Sequence, residues 1–225
     1  MPKFVLGLKP EAAIEWLQTK QVTDANYRSL TESELAKVYT ISKMSDLDML
    51  NDIKQSMVAA MENGQSYHAW RKDILQHLSH KGWLHPSGFK ELEVIDPKTG
   101  EVFGSPRRLD NIYRTNMQSA FMAGKYQSYM RNVDNRPYWQ YDAVNDGRTR
   151  PTHAAMDGLI YRYDDPFWAT FYPPNGYRCR CSVIALSARD IERDNLIVGQ
   201  SNDENFVEVS KIYNKKGDTY RTMAY

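Results

Sequence analysis

Cysteine is scarce in this chain: 225 residues hold two, Cys179 and Cys181. Two cysteines do not make a disulfide framework, so the fold must rest on an ordinary core. A bridge within Cys-x-Cys itself would be strained and is not expected. An excess of either charge is lacking as well. The net charge of +1 gives the chain as a whole no reason to seek nucleic acid or a membrane surface. No run of about 18 apolar residues occurs, so no membrane span is expected. The N-terminal stretch Met1 to Pro10 has too short an apolar run for a signal peptide. There is no internal repeat, no low-complexity tract, no glycine-rich phosphate loop, and neither His-Glu-x-x-His nor Gly-x-Ser-x-Gly. A soluble protein made in the cytoplasm is the expectation.

What is present is apolar material at helical spacing. The apolar fraction of 41% suffices for a core, and the length suits one large domain or two small ones. Pro10 to Lys20 reads as a short helix, with Ile14 and Leu17 on one face. Thr31 and Glu34 form a capping box ahead of Leu35, Val38 and Ile41. Ser45 and Asp48 open the next helix, striped by Leu50, Ile53, Met57 and Met61 and ended by Gly64. Ser66 opens another, with Tyr67, Trp70, Ile74 and Leu78 on one side. Glu91–Ile95 and Glu101–Phe103 flank Asp96-Pro97-Lys98-Thr99-Gly100 as a small hairpin. Arg108 to Arg131 reads as a long helix. Its stripe ends in Ala120 and Gly124, whose lack of side chain allows another backbone to come close.

After Pro137 the period changes to two. Trp139, Tyr141 and Ala143 alternate with polar neighbours, as in a half-buried strand. Further strands are expected at Leu159–Tyr163 and Cys181–Leu186, a short helix at Pro151–Met156 and another from Ser187. The fold class is therefore α+β: an N-terminal helical body, a small β-rich module and an extended C-terminal tail. The expected divisions are 1–132, with the hairpin inserted near 88–105, then 133–190, then 191–225.

Several groups could carry chemistry. Thiolates at Cys179 and Cys181 lie two apart, and His153 from another loop could make a third metal ligand. Two small buried thiols are the plainer reading. Asp142, Asp146, Asp157, Asp164 and Asp165 include acid–base candidates, but Asp before Gly or Pro is commonly a turn device. His68, His77, His80 and His85 lie around one helix, where solvated histidines outnumber metal pairs. Arg148, Arg150, Arg178 and Arg180 mix with Tyr161, Tyr163, Phe167, Trp168, Phe171, Tyr172 and Tyr177. Such a mix either stacks single-stranded nucleic acid or makes an aromatic core rimmed by arginine, and the core is favoured.

One long pattern is specific. It runs Asp146-Gly147-Arg148-Thr149-Arg150-Pro151-Thr152-His153, Met156-Asp157-Gly158, Asp164-Asp165-Pro166-Phe167-Trp168, Pro173-Pro174-Asn175-Gly176 and Cys179-Arg180-Cys181. It resembles the phage Mu F-like minor head proteins, also called phage head morphogenesis proteins. Lys81-Gly82-Trp83 and Arg108-Leu109 through Met117 extend the likeness over roughly residues 1–190. The resemblance implies a phage or prophage origin and a structural, non-enzymatic role inside the head near the portal. Implied partners are the portal protein, other capsid or scaffold proteins and packaged DNA, with no membrane; the implied location is the virion, after assembly in the host cytoplasm. Rival readings are a nuclease or transferase using Asp, His153 and Arg residues, or a DNA-binding factor packaged with the genome. In some relatives the positions matching Arg150 and Gly176 are cysteine and histidine, enough with the others for zinc. This chain keeps only His153, Cys179 and Cys181, so no cofactor is expected, zinc remains the alternative, and Arg150 is expected to pair with Asp146, Asp157 or Asp165.

Overall fold

The computed structural model describes residues 10–26, 29–86 and 92–200. The chain divides into two compact units between Gly124 and Lys125. Its architecture is α+β, with six α-helical or strand elements in the second unit and the longer helices in the first.

The first unit opens with α1 (Glu11–Thr19), which buries Ala13, Ile14 and Leu17. After it come β1 (Gln21–Val22), α2 (Glu32–Lys37) and β2 (Val38–Tyr39). The expected capping box is present: Thr31 Oγ1 accepts from the Glu34 amide at 3.4 Å while Glu34 accepts from the Thr31 amide at 2.7 Å. The helix it opens is shorter than its apolar spacing suggested. It stops at Lys37, and Val38–Tyr39 pairs in parallel with Gln21–Val22. β-branched Val38 and aromatic Tyr39 suit a strand, and beside the pair Tyr39 O accepts from Thr23 N at 3.0 Å.

Next come α3 (Leu47–Glu62) and α4 (Tyr67–His80). The cap of α3 is Asp46, not Ser45; its carboxylate accepts from Met49 N at 2.8 Å. Ser66 caps α4 as expected. In place of the expected hairpin a three-stranded antiparallel sheet forms, β3 (Leu84–Pro86), β4 (Leu92–Ile95) and β5 (Val102–Gly104), one strand more than a hairpin. The expected Glu91 start lies outside the described residues. The apolar stripes meet in one core built on Leu17, Leu50, Ile53, Met57, Trp70, Leu78 and Leu109.

Helix α5 (Arg107–Met130) begins in the first unit and ends in the second. Gly124 serves close packing: a Cβ there would stand 2.8 Å from Ala13 N and 3.1 Å from Ala12 C.

The second unit holds β6 (Tyr138–Asp142), α6 (Pro151–Ala154), β7 (Ile160–Arg162), α7 (Pro166–Phe171), β8 (Ser182–Leu186) and α8 (Ala188–Arg193). Its sheet is antiparallel in the order β7-β6-β8. The period-two reading of β6 holds, because Trp139 and Tyr141 are both fully buried. Helix α7 is an addition the sequence reading lacked. Asp165 caps it and Pro166 takes its first position, a start signal hidden among turn residues.

Candidate functional site

The aromatic residues of the motif region go mostly inward. Trp139 packs edge-on against Tyr126, Trp168 and Tyr172, with ring centroids 5.6, 5.7 and 5.8 Å away. Tyr161 stacks on Phe167 at 4.3 Å. Phe171 is buried with them, whereas Tyr177 is 58% exposed. Aromatic burial of this size is the main apolar contribution to so small a unit.

Over this core the motif residues hold two loops, 143–159 and 172–181. Asp146 turns the first loop. Its carboxylate accepts from Arg148 N at 3.0 Å and from Thr149 Oγ1 at 3.3 Å. It also receives both arms of Arg180, at 2.6 and 2.5 Å, which joins the first loop to the second. That fork, with the Arg148 amide, holds the Asp146 carboxyl well below the usual carboxylate range. Asp157 closes the same loop from its far end, accepting from Ala143 N at 2.7 Å and from the Asn145 amide. Gly158 follows with φ 79°, and its amide donates to Tyr141 O at 2.9 Å.

The second loop leaves α7 through Tyr172, Pro173 and Pro174, all buried. Asn175, 4% exposed, sends its amide nitrogen to Phe171 O at 2.8 Å and to the Tyr141 hydroxyl at 3.2 Å. Gly176 then takes φ 79° and Arg178 φ 59°. These reversals bring Cys179 and Cys181 inward, just ahead of β8 and not within it.

There the cysteines meet His153, which α6 presents from the first loop. His153 Nδ1 lies 3.3 Å from Cys181 Sγ and 3.7 Å from Cys179 Sγ. All three residues are buried, and both cysteines are free thiols. Cys179 is the more acidic of the pair, lowered to about 7; the Cys181 thiol hydrogen-bonded to it is the largest cause, and burial opposes the shift. Cys181 is pushed up by the same contact and by burial. Among the described residues this is the only group of three or more His, Cys, Asp or Glu whose ligand atoms lie within 4.8 Å of one another.

Arg150 does not pair with Asp146, Asp157 or Asp165, as the sequence suggested. Those carboxylates are committed to Arg180, to the Ala143 amide and to the cap of α7. Arg150 instead donates to two carbonyls of the second loop, Asn175 O at 3.0 Å and Tyr177 O at 2.5 Å. Its Nη1 also stands 3.4 Å from His153 Nε2.

Residues 51–184 match the family described as Phage Mu protein F like protein. The chain belongs to that family. Two curated relatives agree over most of its length. The putative capsid assembly protein F of Escherichia phage Mu is 38% identical over 188 residues, 82% of this chain and 42% of that protein. The Mu-like prophage FluMu F protein of Haemophilus influenzae is 38% identical over 200 residues, 88% of this chain and 47% of that protein. The chain thus spans less than half the length of each. No solved structure matches it.

Within this Mu F-like chain the structure brings Asp146, Arg150, His153, Gly176, Cys179 and Cys181 to the junction of two loops. Arg148 and Thr149 belong to the turn, Asp157 and Gly158 to the β6–β7 connection, and Asp165 and Pro166 to the start of α7. The residues that sequence reasoning missed are Tyr141 and Asn175. Asn175-Gly176 reads as a turn dipeptide, and nothing in the spacing signals that the amide side chain is buried. Of the candidate histidines around α4 in the first unit, His77 has its Nε2 2.8 Å from Asp52, which Lys81 also binds. As a donor set for zinc, the group of three is one ligand short of a closed tetrahedral site.

Proposed function

We infer that this chain is a structural component of head assembly in a tailed phage or prophage, without catalytic activity of its own. Its place is inside the head near the portal, where it contacts the portal protein and other head proteins. The observation that carries this reading is the 38% identity to a protein named for capsid assembly in phage Mu. The chemistry of the motif agrees with it. A general acid or base must reach a substrate proton, and His153 is 3% exposed with neighbours at both ring nitrogens. Asp146 is occupied by a bidentate arginine. Such groups hold loops in place.

Assembly contacts are assigned to the segment after residue 200. It lies outside the described residues, and its sequence carries Phe206, Val207, Val209, Ile212 and Tyr213 among polar neighbours. Sparse apolar residues of that kind gain most by ordering on a partner.

The test is genetic. The gene is disrupted in a phage or prophage that carries it, and DNA-filled heads are counted by electron microscopy with and without a complementing copy. A loss of filled heads restored by the copy is expected; normal head numbers without the gene overturn the reading. Incubating the purified chain with nucleic acids and with NAD addresses the enzymatic alternatives: cleavage or transfer abolished by His153→Ala would replace this proposal.

A further inference from the structure

The geometry points to a metal-free latch at His153, Cys179 and Cys181: the Arg150 guanidinium ties the two loops in place of an ion, and His153 is held as the tautomer with its proton on Nδ1. Nδ1 is the nitrogen that faces the sulfurs, at 3.3 Å from Cys181 and 3.7 Å from Cys179. Nε2 faces Arg150 Nη1 at 3.4 Å. Arginine has donors only and keeps its charge. Nε2 must therefore accept, and in a neutral ring the proton then sits on Nδ1, directed at Cys181.

A metal at this position needs the opposite arrangement. Binding through Nδ1 requires a lone pair there, which places the ring proton on Nε2. A ligating histidine normally donates that proton to a carboxylate, carbonyl or water. Here it would point at the N–H of a permanent cation. The polarity around the ring is wrong for an ion, and the donor count is also short. Asp146 and Asp157, the carboxylates nearest in sequence, are held by Arg180 and by Ala143 N.

Arg150 supplies the cross-link instead. It stands at the N-cap of α6, one turn from His153, and its fork reaches Asn175 O and Tyr177 O on the loop that leads to both cysteines. An ion held by His153, Cys179 and Cys181 would join the same two loops. The bonds are charge-assisted and made by a planar fork, which lysine cannot reproduce.

Three measurements test the inference on the full chain. Elemental analysis after purification without chelator, and again after added zinc, is expected to find far less than one metal per chain, with melting unmoved by EDTA. About one zinc per chain, lost together with thermal stability on chelation, overturns the latch. Nitrogen-15 NMR of the imidazole side chains is expected to show a protonated Nδ1 and a bare Nε2 at His153; the reverse tautomer overturns it. Arg150→Lys and Arg150→Ala are expected to lower the melting temperature by about 4 °C or more. If Arg150→Ala does not fold, Arg150→Lys still decides, since a melt equal to the parent's shows that the fork ties nothing.

Discussion

At the scale of single residues, the two glycines of the loops make the sharpest case. Gly158 and Gly176 both sit at φ 79°, a region that costs side-chain-bearing residues about 1 kcal/mol or more. The surroundings add little: a Cβ at Gly158 would meet nothing within 4 Å, and one at Gly176 would meet Arg150 Nη1 at 3.8 Å. Gly158→Val and Gly176→Val are therefore each expected to destabilise by about 1 kcal/mol or more through the backbone alone. Thermal melts that overlay the parent's would remove this account. Both positions were legible in sequence as Asp-Gly and Asn-Gly turns, because the turn requirement is local. The partner of Arg150 was not legible. Carboxylates near in sequence looked natural, but which acceptor a guanidinium meets depends on which loop is folded beside it.

At the scale of elements, two contacts of α1 carry the argument. At Gly124 of α5, where a Cβ would stand 2.8 Å from Ala13 N, Gly124→Val gains a few tenths of a kcal/mol in helix propensity. It also forces two backbones apart, at about 1–3 kcal/mol. A net loss of about 1 kcal/mol or more is expected from denaturant titration, and a gain in stability would show that the helices separate freely. The C-terminal end of α1 is capped by a side chain: Lys54 Nζ donates to Gln18 O at 2.8 Å and Lys20 O at 2.5 Å. Lys20 in turn reaches Leu35 O at 2.7 Å, helping to hold the turn before β2. Burial, and then the neighbouring Lys54 charge, lower the Lys20 amine to about 8 from 10.5. Between those values the unfolded chain binds more protons than the folded one, so Lys20's contribution to stability rises with pH. The parent is expected to gain in melting temperature relative to Lys20→Met from pH 8 to 10. A difference that stays constant with pH would mean that Lys20 keeps its ordinary acidity.

At the scale of the whole molecule, the proposed assembly role is tested on the segment after residue 200. Deleting 201–225 is expected to leave the thermal transition of the remaining chain in place and to reduce its incorporation into heads. Unchanged incorporation, with the remainder folded, would place the assembly contacts elsewhere. Both results are needed, because a truncated chain that no longer folds would also be lost from heads. The sequence expectation put the end of the helical body at residue 132, after the long helix; the compact units divide at Gly124–Lys125, inside it. Periodicity marks where a helix continues and says nothing of which neighbours each turn contacts.

The sequence by itself determined the long helices α3, α4 and α5, the strand period and the motif. The stripes of α3 and α4, the Thr31–Glu34 box and the alternation of Trp139 and Tyr141 all follow from spacing along the chain, and spacing is a local property. It also singled out Cys179, Cys181 and His153, the group whose ligand atoms the fold brings together. The tertiary structure alone decided what holds that group. Val38 left a helical pattern for a strand because Gln21–Val22 lay beside it. Asn175 became a buried bridge because the Tyr141 hydroxyl and Phe171 O lay within its reach. Arg150 turned to carbonyls because the loop after α7 brings Asn175 and Tyr177 within reach of its fork. Each of these choices depends on residues brought together from distant positions, and their proximity is set only when the chain has folded.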